Sequence, residues 1–298
     1  MRQPGTPTLD QLTVFLAVVE AGGLAAAARR LGRATSAISY AIDGLEAQLG
    51  LALFDRGTTR APKLTAAGSA VVAEARRVGD GVASLRARVA GLLGGLEAEV
   101  SLAVDVMFPT ARLVGALHDF REAYPTVNLR LHVEALGAVA TLVLAGEAAF
   151  GVAGPINAAT EGGLERIDAG GITMLPVAAP GHPLAQGPQP PGAAREHVQL
   201  VLSDRSTVTE GQDFGVVAAN NWRLSDLGAK HALLRHGLGW GNMPEAMVAD
   251  DLAAGRLVAL DLADWRGASY RMQVIYRTEA PPGPATRWLI ERLVEGAA

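Results

Sequence analysis

The sequence contains no cysteine, and this absence excludes several kinds of site at once. Without thiols the chain forms no disulfide framework, no thiolate metal site and no cysteine nucleophile. It also lacks any uninterrupted apolar run of the roughly 18 to 20 residues that a membrane-spanning helix requires. The first eight residues lack the apolar stretch of a secretory signal. We therefore expect a protein without a membrane partner, located in the cytoplasm.

Composition and charge favour a globular protein with two unlike parts. Hydrophobic residues make up 49% of the 298 residues and charged residues 19%, which suits one small and one bipartite domain, or two of middling size. Residues 1–92 carry 11 basic and 7 acidic side chains, whereas the remainder carries 15 and 23. A basic head on an acidic body is typical of a nucleic-acid-binding module fused to another domain.

The first 64 residues show three helical patterns and a hairpin pattern. Apolar residues recur every three or four positions over residues 9–20, and an alanine-rich helix is predicted over 24–31. A short glycine-containing turn leads to a third helix, over 35–48, for which Thr35 is the expected N-cap. Two helices joined by such a turn indicate a helix-turn-helix. Alternation around a polar tip over 51–64 predicts a hairpin wing.

The next segment carries an apolar seam that steps by four and three residues over three heptads. Its members are Val71, Ala75, Val78, Val82, Leu85, Val89 and Leu92. Such a seam predicts a long helix that pairs with a second copy of the chain and ends near residue 92, before a hinge at Gly94 and Gly95. The alternative is a helix that packs on the C-terminal part of its own chain.

Residues 96–298 alternate between strand and helix patterns, which predicts an α/β domain with a mostly parallel sheet. The expected strands are 100–106, 127–133, 150–153, 198–202, 214–218, 238–241, 257–260 and 272–276. The expected helices are 109–123, 139–144, 225–236, 244–254 and 285–294. A stretch rich in glycine and proline, 179–192, separates two series of these elements.

No pattern in the sequence indicates catalysis. The six histidines form no metal-binding motif, and the glycines of 237–241 follow a helix instead of the strand that a dinucleotide site requires. No nucleophile elbow or phosphate-binding loop is present. We therefore expect no catalytic residue, no metal and no cofactor. Two alternatives remain open: an α/β enzyme with an appended helix-turn-helix, and a sugar- or amino-acid-binding protein.

Seven short stretches near the N-terminus carry a recognisable signature. They are 15–20, 25–31, 36–39, 45–46, 49–50, 53–56 and 64–68, which read FLAVVE, AAAARRL, SAIS, LE, LG, LFDR and LTAAG. Together they give residues 9–68 a close resemblance to the DNA-binding domain of LysR-type transcriptional regulators. The rest of the chain resembles the effector domain of this family in layout, and its recognisable phrases are 180–184 and 237–244.

The resemblance implies an all-α winged helix-turn-helix DNA-binding domain with a long linker helix. An α/β effector domain of two Rossmann-like subdomains, similar to type 2 periplasmic binding proteins, would follow. The implied boundaries are 1–64 for the winged domain, 65–95 for the linker and dimerisation helix with its hinge, and 96–298 for the effector-binding domain, with subdomain I over 97–169 and 267–298 and subdomain II over 170–266.

The function implied by the resemblance is sequence-specific transcription regulation. A small-molecule effector, of unknown identity, would bind between the two α/β subdomains and modulate this activity. The implied partners are double-stranded DNA, the effector, further copies of the chain in a homodimer or homotetramer, and RNA polymerase.

The resemblance also places helix 35–48 in the major groove of DNA. The exposed residues early in this helix offer hydroxyl groups to phosphates and base edges, and they are Thr35, Ser36, Ser39 and Tyr40. The family usually has a basic residue where Tyr40 stands. A charge-assisted phosphate contact is therefore not expected at this position.

Five arginines are the expected basic contacts to DNA. Arg29, Arg30 and Arg33 would meet backbone phosphates, and Arg56 and Arg60 on the wing would enter or flank the minor groove. The alternative is that these side chains are only solvated. For Arg56 a pairing with Asp55 or Glu46 that stabilises the wing is a further alternative.

The expected effector site consists of residues near strand ends and helix starts, where free backbone N–H groups attract anions. The candidates are Asp105, Met107, Phe108, Thr110, Glu134, Ser203, Asp204, Trp222 and Trp240. The alternative for the apolar members is a place in the core, and for Thr110 a capping role only. An acidic pair of Asp105 and Glu134 would favour an effector with a donor or a cation over a simple carboxylate, and a solvent-exposed Glu134 would contradict that hypothesis.

Overall fold

The computed structural model describes residues 5–55, 62–154, 162–203, 206 and 214–295. Three of the predicted site residues, Arg56, Arg60 and Asp204, lie outside the described residues. The chain divides into two compact units, Met1–Ala90 and Gly91–Ala298, which we call the N-terminal unit and the effector unit. The boundaries predicted for the linker and the two subdomains stay predictions.

The N-terminal unit contains the helices and the hairpin that the sequence predicts. Its elements are α1 (Leu9–Ala21), α2 (Leu24–Leu31), α3 (Thr35–Leu49), β1 (Phe54–Asp55), β2 (Lys63–Leu64) and the long α4 (Ala66–Leu93). Thr8 caps α1 in a reciprocal pair with Gln11, whose side chain accepts from the Thr8 N–H at 2.8 Å. The expected Thr35 cap is wrong, because Ala34 is the N-cap of α3 and supplies no side-chain hydrogen bond.

The three helices enclose a small core to which the wing is attached. Phe15 of α1 is fully buried and packs edge to face on Phe54 of β1, with ring centroids 5.6 Å apart. The Glu46 carboxylate of α3 accepts hydrogen bonds from the backbone N–H groups of Leu53 and Phe54, at 2.7 and 3.2 Å. The base of the wing is therefore fixed to the third helix by one carboxylate.

No single helix among the described residues is long and apolar enough to span a membrane. The bent pair α1 and α2 meets that test by length and composition only.

The start of α4 is fastened to the end of the wing. The Thr65 hydroxyl accepts from the N–H of Gly68 at 2.8 Å and donates to the carbonyl of Ala52 at 2.8 Å. Gly68 lies so close to the residues before β1 that a Cβ at its position would overlap the carbonyl oxygen of Leu53. The glycine of the LTAAG stretch is therefore required by a close backbone approach.

We expect Gly68→Ala to destabilise the protein by about 1 to 3 kcal/mol, because the added methyl group collides with backbone. Gly79→Ala is the matched control, since Gly79 lies in the same helix and has no atom within 4 Å of the added Cβ. The control should stabilise the protein by up to about 1 kcal/mol through helix propensity. Chemical denaturation of both variants measures the two effects, and equal effects would contradict this account of Gly68.

The effector unit is built on one sheet with helices packed against it. Its strands are β3 (Glu99–Asp105), β4 (Asn128–Glu134), β5 (Phe150–Ala153), β6 (Leu164–Ala178), β7 (Gln199–Leu202), β8 (Asn221–Leu224), β9 (Trp240–Pro244), β10 (Val258–Ala259) and β11 (Ala268–Arg277). Its α-helices are α5 (Thr110–Ala123), α6 (Ala138–Leu144), α7 (Leu227–Arg235), α8 (Glu245–Ala253) and α9 (Pro284–Glu295). The strand order is β4-β3-β5-β11-β6-β9-β7-β8, with β10 beside β6.

The two longest strands, β6 and β11, lie at the centre of this sheet and join one half, β4-β3-β5, to the other half, β9-β7-β8. They pair antiparallel from Leu164 opposite Arg277 to Met174 opposite Ala268, with one irregularity in the register. On one side β11 pairs with β5, and on the other side β6 pairs with β9. We call β6 and β11 the crossing strands.

Three features of the sheet differ from the sequence prediction. The sheet is mixed and not mostly parallel, because the crossing strands run antiparallel to each other and to their neighbours β5 and β9. Strands β6 and β8 are not predicted by the sequence patterns. The predicted strand over 214–218 is wrong, because that segment is irregular and hydrogen-bonds to a side chain instead of a neighbouring strand.

Candidate functional site

The outer face of α3 carries the hydroxyl groups that the sequence predicts for it. Thr35 and Ser36 are exposed, Ser39 is half-buried, and the Tyr40 side chain is 81% exposed. Opposite them, Ile38, whose side chain is fully buried, holds the helix against the core of the N-terminal unit. The face is therefore available to another molecule, and its contacts with DNA stay a prediction.

The three arginines near α2 differ in their partners. Arg33 binds Asp10 through two hydrogen bonds of 2.9 and 2.7 Å, and this guanidinium holds the pKa of Asp10 below its usual range. Arg30 pairs with Glu20 at 2.7 Å. Arg29 is exposed and makes no ion pair within the described residues. A phosphate would compete with a carboxylate at Arg30 and Arg33 but not at Arg29.

The predicted dimerisation seam on α4 divides into two parts. Ala75 is buried in the core of the N-terminal unit and Val71 packs against that core, so both belong to the fold of their own chain. Val82 is half-buried. The remaining members carry exposed side chains, and they are Val78, Leu85, Val89 and Leu92. The surface left for a partner therefore begins one heptad later than the sequence predicts.

Asp105 and Glu134 do not form the acidic pair that the sequence suggests. They are neighbours in the β3–β4 register, but Glu134 is exposed whereas Asp105 is fully buried. The Asp105 carboxylate accepts from the N–H groups of Met107 at 2.8 Å and Leu136 at 3.1 Å. Asp105 thus positions the two loops that follow β3 and β4, and the hypothesis of an acidic effector site is wrong.

Met107, Phe108 and Thr110 line a cleft with a volume of about 470 Å³, open solvent at its mouth included. Pro244 and Met247 form the opposite wall. The Phe108 ring is buried, and the Arg112 guanidinium lies 4.9 Å from its centroid. Pro109 is the N-cap of α5 and no side chain caps that helix, so Thr110 has no capping role here.

Trp222, Trp240 and Ser203 line neither this cleft nor the cavity over the crossing strands. Trp240 is fully buried with Leu184 and Leu260, and its indole N–H donates to the Ala194 carbonyl at 3.0 Å. It is therefore a residue of the core. Trp222 is on the edge strand β8 and 46% exposed, and Ser203 is joined through its N–H to that strand.

A second cavity lies over the crossing strands and encloses about 540 Å³, open solvent at its mouth included. Its apolar walls are Met107, Leu136, Met174, Leu200, Val201, Leu202 and Phe214. Its polar walls include Gln199, Lys230, Asn242 and Tyr270. Residues from both halves of the sheet and from both crossing strands thus surround one space, which we call the Lys230 pocket.

Lys230 is a buried cation in the wall of this pocket. Its side chain is 3% exposed, and its ammonium donates to the carbonyl oxygen of Asn242 at 2.7 Å. Burial lowers the pKa of Lys230 from 10.5 to about 8, because an apolar surrounding disfavours the charged form. Lys230 is not among the site residues that the sequence predicts. Its spacing could have indicated it, because Lys230 lies three residues after Leu227 and four before Leu234 and therefore shares the apolar face of α7 with these two buried leucines.

The loop beside Lys230 is held by a glutamine side chain. The side-chain oxygen of Gln199, Oε1, accepts from the N–H groups of Val217 and Ala218 at 2.9 and 3.0 Å. Its side-chain nitrogen, Nε2, donates to the Gly215 carbonyl at 2.7 Å. These bonds replace a strand ladder for the segment that includes the Phe214 wall. Gln199 therefore shapes the pocket, and no residue pattern in the sequence marks it for this role.

The glycines of the 237–244 phrase allow β9 to approach β7 closely. A Cβ on Gly241 would lie 2.6 Å from the Leu200 carbonyl oxygen and 3.2 Å from Cε of Lys230. On Gly239 it would lie 2.5 Å from the Val198 carbonyl oxygen. These glycines therefore make room for the neighbouring strand and for the stem of Lys230.

We expect Lys230→Met to stabilise the folded protein at neutral pH by about 3 kcal/mol, since the buried charge is removed. The folded pKa of Lys230 is about 8 and the unperturbed pKa is 10.5. As the pH rises through this window, the folded state loses its proton first and becomes more stable, so the advantage of the variant shrinks.

Denaturant unfolding of both proteins across that pH range measures the difference. Lys63→Met is the control, because it removes an exposed lysine and leaves the buried cation in place. A difference for Lys230→Met that does not change with pH, or one that matches the control, would contradict the buried-cation account.

Comparison with known proteins gives two family matches. Residues 93–298 match the family described as "LysR substrate binding domain", and residues 9–69 match "Bacterial regulatory helix-turn-helix protein, lysR family". The chain is 30% identical over 298 residues to the "SDS degradation transcriptional activation protein" of Pseudomonas sp., with 95% of each chain covered. It is 28% identical over 256 residues to the transcriptional activator AllS of Klebsiella pneumoniae, covering 84% of this chain and 94% of AllS.

A solved structure with the same fold is full-length LTTR LysG from Corynebacterium glutamicum with bound effector Arg. The TM-score is 0.52 at 21% sequence identity, and the match covers 97% of this chain and 98% of LysG. CrgA, a LysR-type transcriptional regulator from Neisseria meningitidis, also gives a TM-score of 0.52, at 20% identity, covering 97% of this chain and 98% of CrgA.

Proposed function

Because the chain belongs to the LysR family of transcriptional regulators, we propose that it works as a homodimer, or as a tetramer of two such dimers. In this proposal α3 reads DNA and a small molecule in the Lys230 pocket modulates the activity. The observation that carries it is a pocket enclosed by both halves of the effector sheet and by the crossing strands that join them.

The DNA contact is proposed for the exposed face of α3 and for the arginines beside α2. Hydroxyl groups of Ser36 and Tyr40 suit phosphates and base edges, whereas the cations supply affinity that does not depend on sequence. Arg29 is the strongest candidate of the three arginines, because no carboxylate among the described residues competes for it.

The effector response is proposed to work through the crossing strands. A ligand that contacts Met107 in one half and Leu200 in the other binds best at one relative placement of the two halves. Binding therefore shifts the population of effector-unit conformations, and in a dimer such a shift changes the spacing of the two DNA-reading helices.

The proposal includes three further expectations. The protein acts in the cytoplasm, where its DNA is, and contacts RNA polymerase at the promoters that it controls. It performs no catalytic step.

The proposed function is tested by recovering the genomic fragments that the full-length protein binds and measuring its affinity for them at several salt concentrations. We expect steep salt dependence, and we expect Arg29→Ala to reduce the slope of log affinity against log salt by about one. Arg33→Ala should have a smaller effect, because Asp10 already neutralises this arginine.

Arg121→Ala is the control, since Arg121 is an exposed arginine of the effector unit. A chain that binds no fragment in a salt-dependent manner would contradict the proposed function. An unchanged slope for Arg29→Ala would contradict only the assignment of that contact.

We expect Leu85→Asp to weaken the dimer about tenfold or more, because the seam would bury an unpaired carboxylate. Leu85 is 61% exposed in the single chain. Ala83→Asp is the matched control, since the exposed Ala83 lies on the opposite side of α4. Sedimentation velocity of the full-length variants gives the dissociation constants. Equal constants for the two variants would place the dimer contact elsewhere.

A further inference from the structure

We propose that the Lys230 pocket binds a small molecule with an apolar body and a single anionic group, a carboxylate being the simplest, and that this anion contacts the Lys230 ammonium. The inference rests on the proposed function, because it names the chemical class of the effector for the same pocket.

Among the described residues the Lys230 ammonium has a single hydrogen-bond partner. The carbonyl of Asn242, 2.7 Å from Nζ, takes one of its three N–H donors. Within the described parts of the chain no carboxylate pairs with it, and burial alone accounts for its lowered pKa. A buried cation without a counter-ion destabilises the fold. An anion in the pocket would supply the missing charge and accept the remaining hydrogen bonds.

The other polar walls of the pocket are already engaged. The Gln199 side chain binds the loop at 215–218, and the Asn242 side-chain oxygen accepts from the Trp265 indole at 2.7 Å. Tyr270 is the other titratable group among the described lining residues, and burial raises its pKa, so it stays neutral at neutral pH. Among the described lining residues, the charge of the pocket therefore comes from Lys230.

The remaining walls select an apolar body. Met107, Leu136, Met174, Leu200 and Phe214 present hydrocarbon, sulfur and ring surface. No acidic residue is among the described residues that line the pocket, so a ligand ammonium would be buried without a partner. One cation balances one negative charge. A monoanion with a hydrophobic remainder fits these walls better than a zwitterion, a cation or a dianion.

The backbone at Leu136 indicates that the part of the pocket wall formed by Met107 and Leu136 is held in a fixed shape. It is the one non-glycine residue with a positive φ, 53°, among the described residues. Its N–H is bound by the buried Asp105 carboxylate, which also binds the N–H of Met107. The protein thus maintains a strained residue in the pocket wall, a cost that is typical of ligand-binding positions.

The chain has only two lysines, Lys63 and Lys230, so the titration of each lysine can be measured directly. Full-length protein carrying lysine labelled with ¹³C at Cε shows two signals, and Lys63→Met assigns them. Each signal is titrated with pH in the presence of sodium benzoate, benzamide or benzylamine. These probes share an aromatic ring and differ in charge at the polar group.

We expect benzoate to bind about 10- to 100-fold more tightly than benzamide, the range that a hydrogen bond to a charged group gives. Benzoate should move the Lys230 midpoint upward from about 8, because the anion favours the ammonium, and leave Lys63 unchanged. By linkage the affinity for benzoate falls as the pH rises above about 8. Lys230→Met should lose the preference for benzoate over benzamide.

The inference is overturned if benzoate binds no better than benzamide or benzylamine, or if Lys230→Met keeps the preference. The comparison of three probes on the wild-type chain stands even if the variant does not fold. Binding of the recovered genomic fragments is measured on the same samples. Retained DNA binding with no preference for the anion would reject the effector class and leave the proposed function intact.

Discussion

The antiparallel pairing of β6 with β11 is the constraint on which the effector unit depends. These two strands hold β5 on one side and β9 on the other, so the relative placement of the two halves of the sheet depends on them. The Lys230 pocket lies over them, and each crossing strand supplies a wall residue, Met174 and Tyr270. A ligand in this pocket therefore contacts the crossing strands directly. A shift of these two strands would move both halves of the effector unit.

The pocket is maintained at a cost to stability. Asp105 is buried to fix the loops that carry Met107 and Leu136, and Lys230 is buried with a single carbonyl as its hydrogen-bond partner among the described residues. The absence of a side chain at Gly241 leaves room for the stem of Lys230. None of these features is needed to fill a core, and a sheet packed with apolar residues would be more stable. Their common result is a space with apolar walls and one cation that no carboxylate pairs with among the residues that the structure describes.

Sequence patterns predicted the local elements well and the long-range ones poorly. The helices of the N-terminal unit follow from apolar periodicity, and the family matches confirm the predicted family, fold class and regulatory function. Strand β6 was missed because Gly170, Gly171 and Pro176 interrupt its pattern, and its conformation depends on pairing with distant strands. Of the described effector-site residues that the sequence predicts, only Met107 lines the Lys230 pocket. Lys230 and the other wall residues are brought together by the same long-range pairing of strands.

The central claim is that occupation of the Lys230 pocket controls transcription at the bound promoters. Met174→Trp puts a larger side chain on the floor of the pocket, and Leu238→Trp adds the same side chain at an exposed position. Transcription and site occupancy are measured at those promoters across growth conditions. The account predicts that Met174→Trp keeps its sites but loses the response to growth conditions, while Leu238→Trp responds like the wild type. A normal response from Met174→Trp with unchanged occupancy would contradict it.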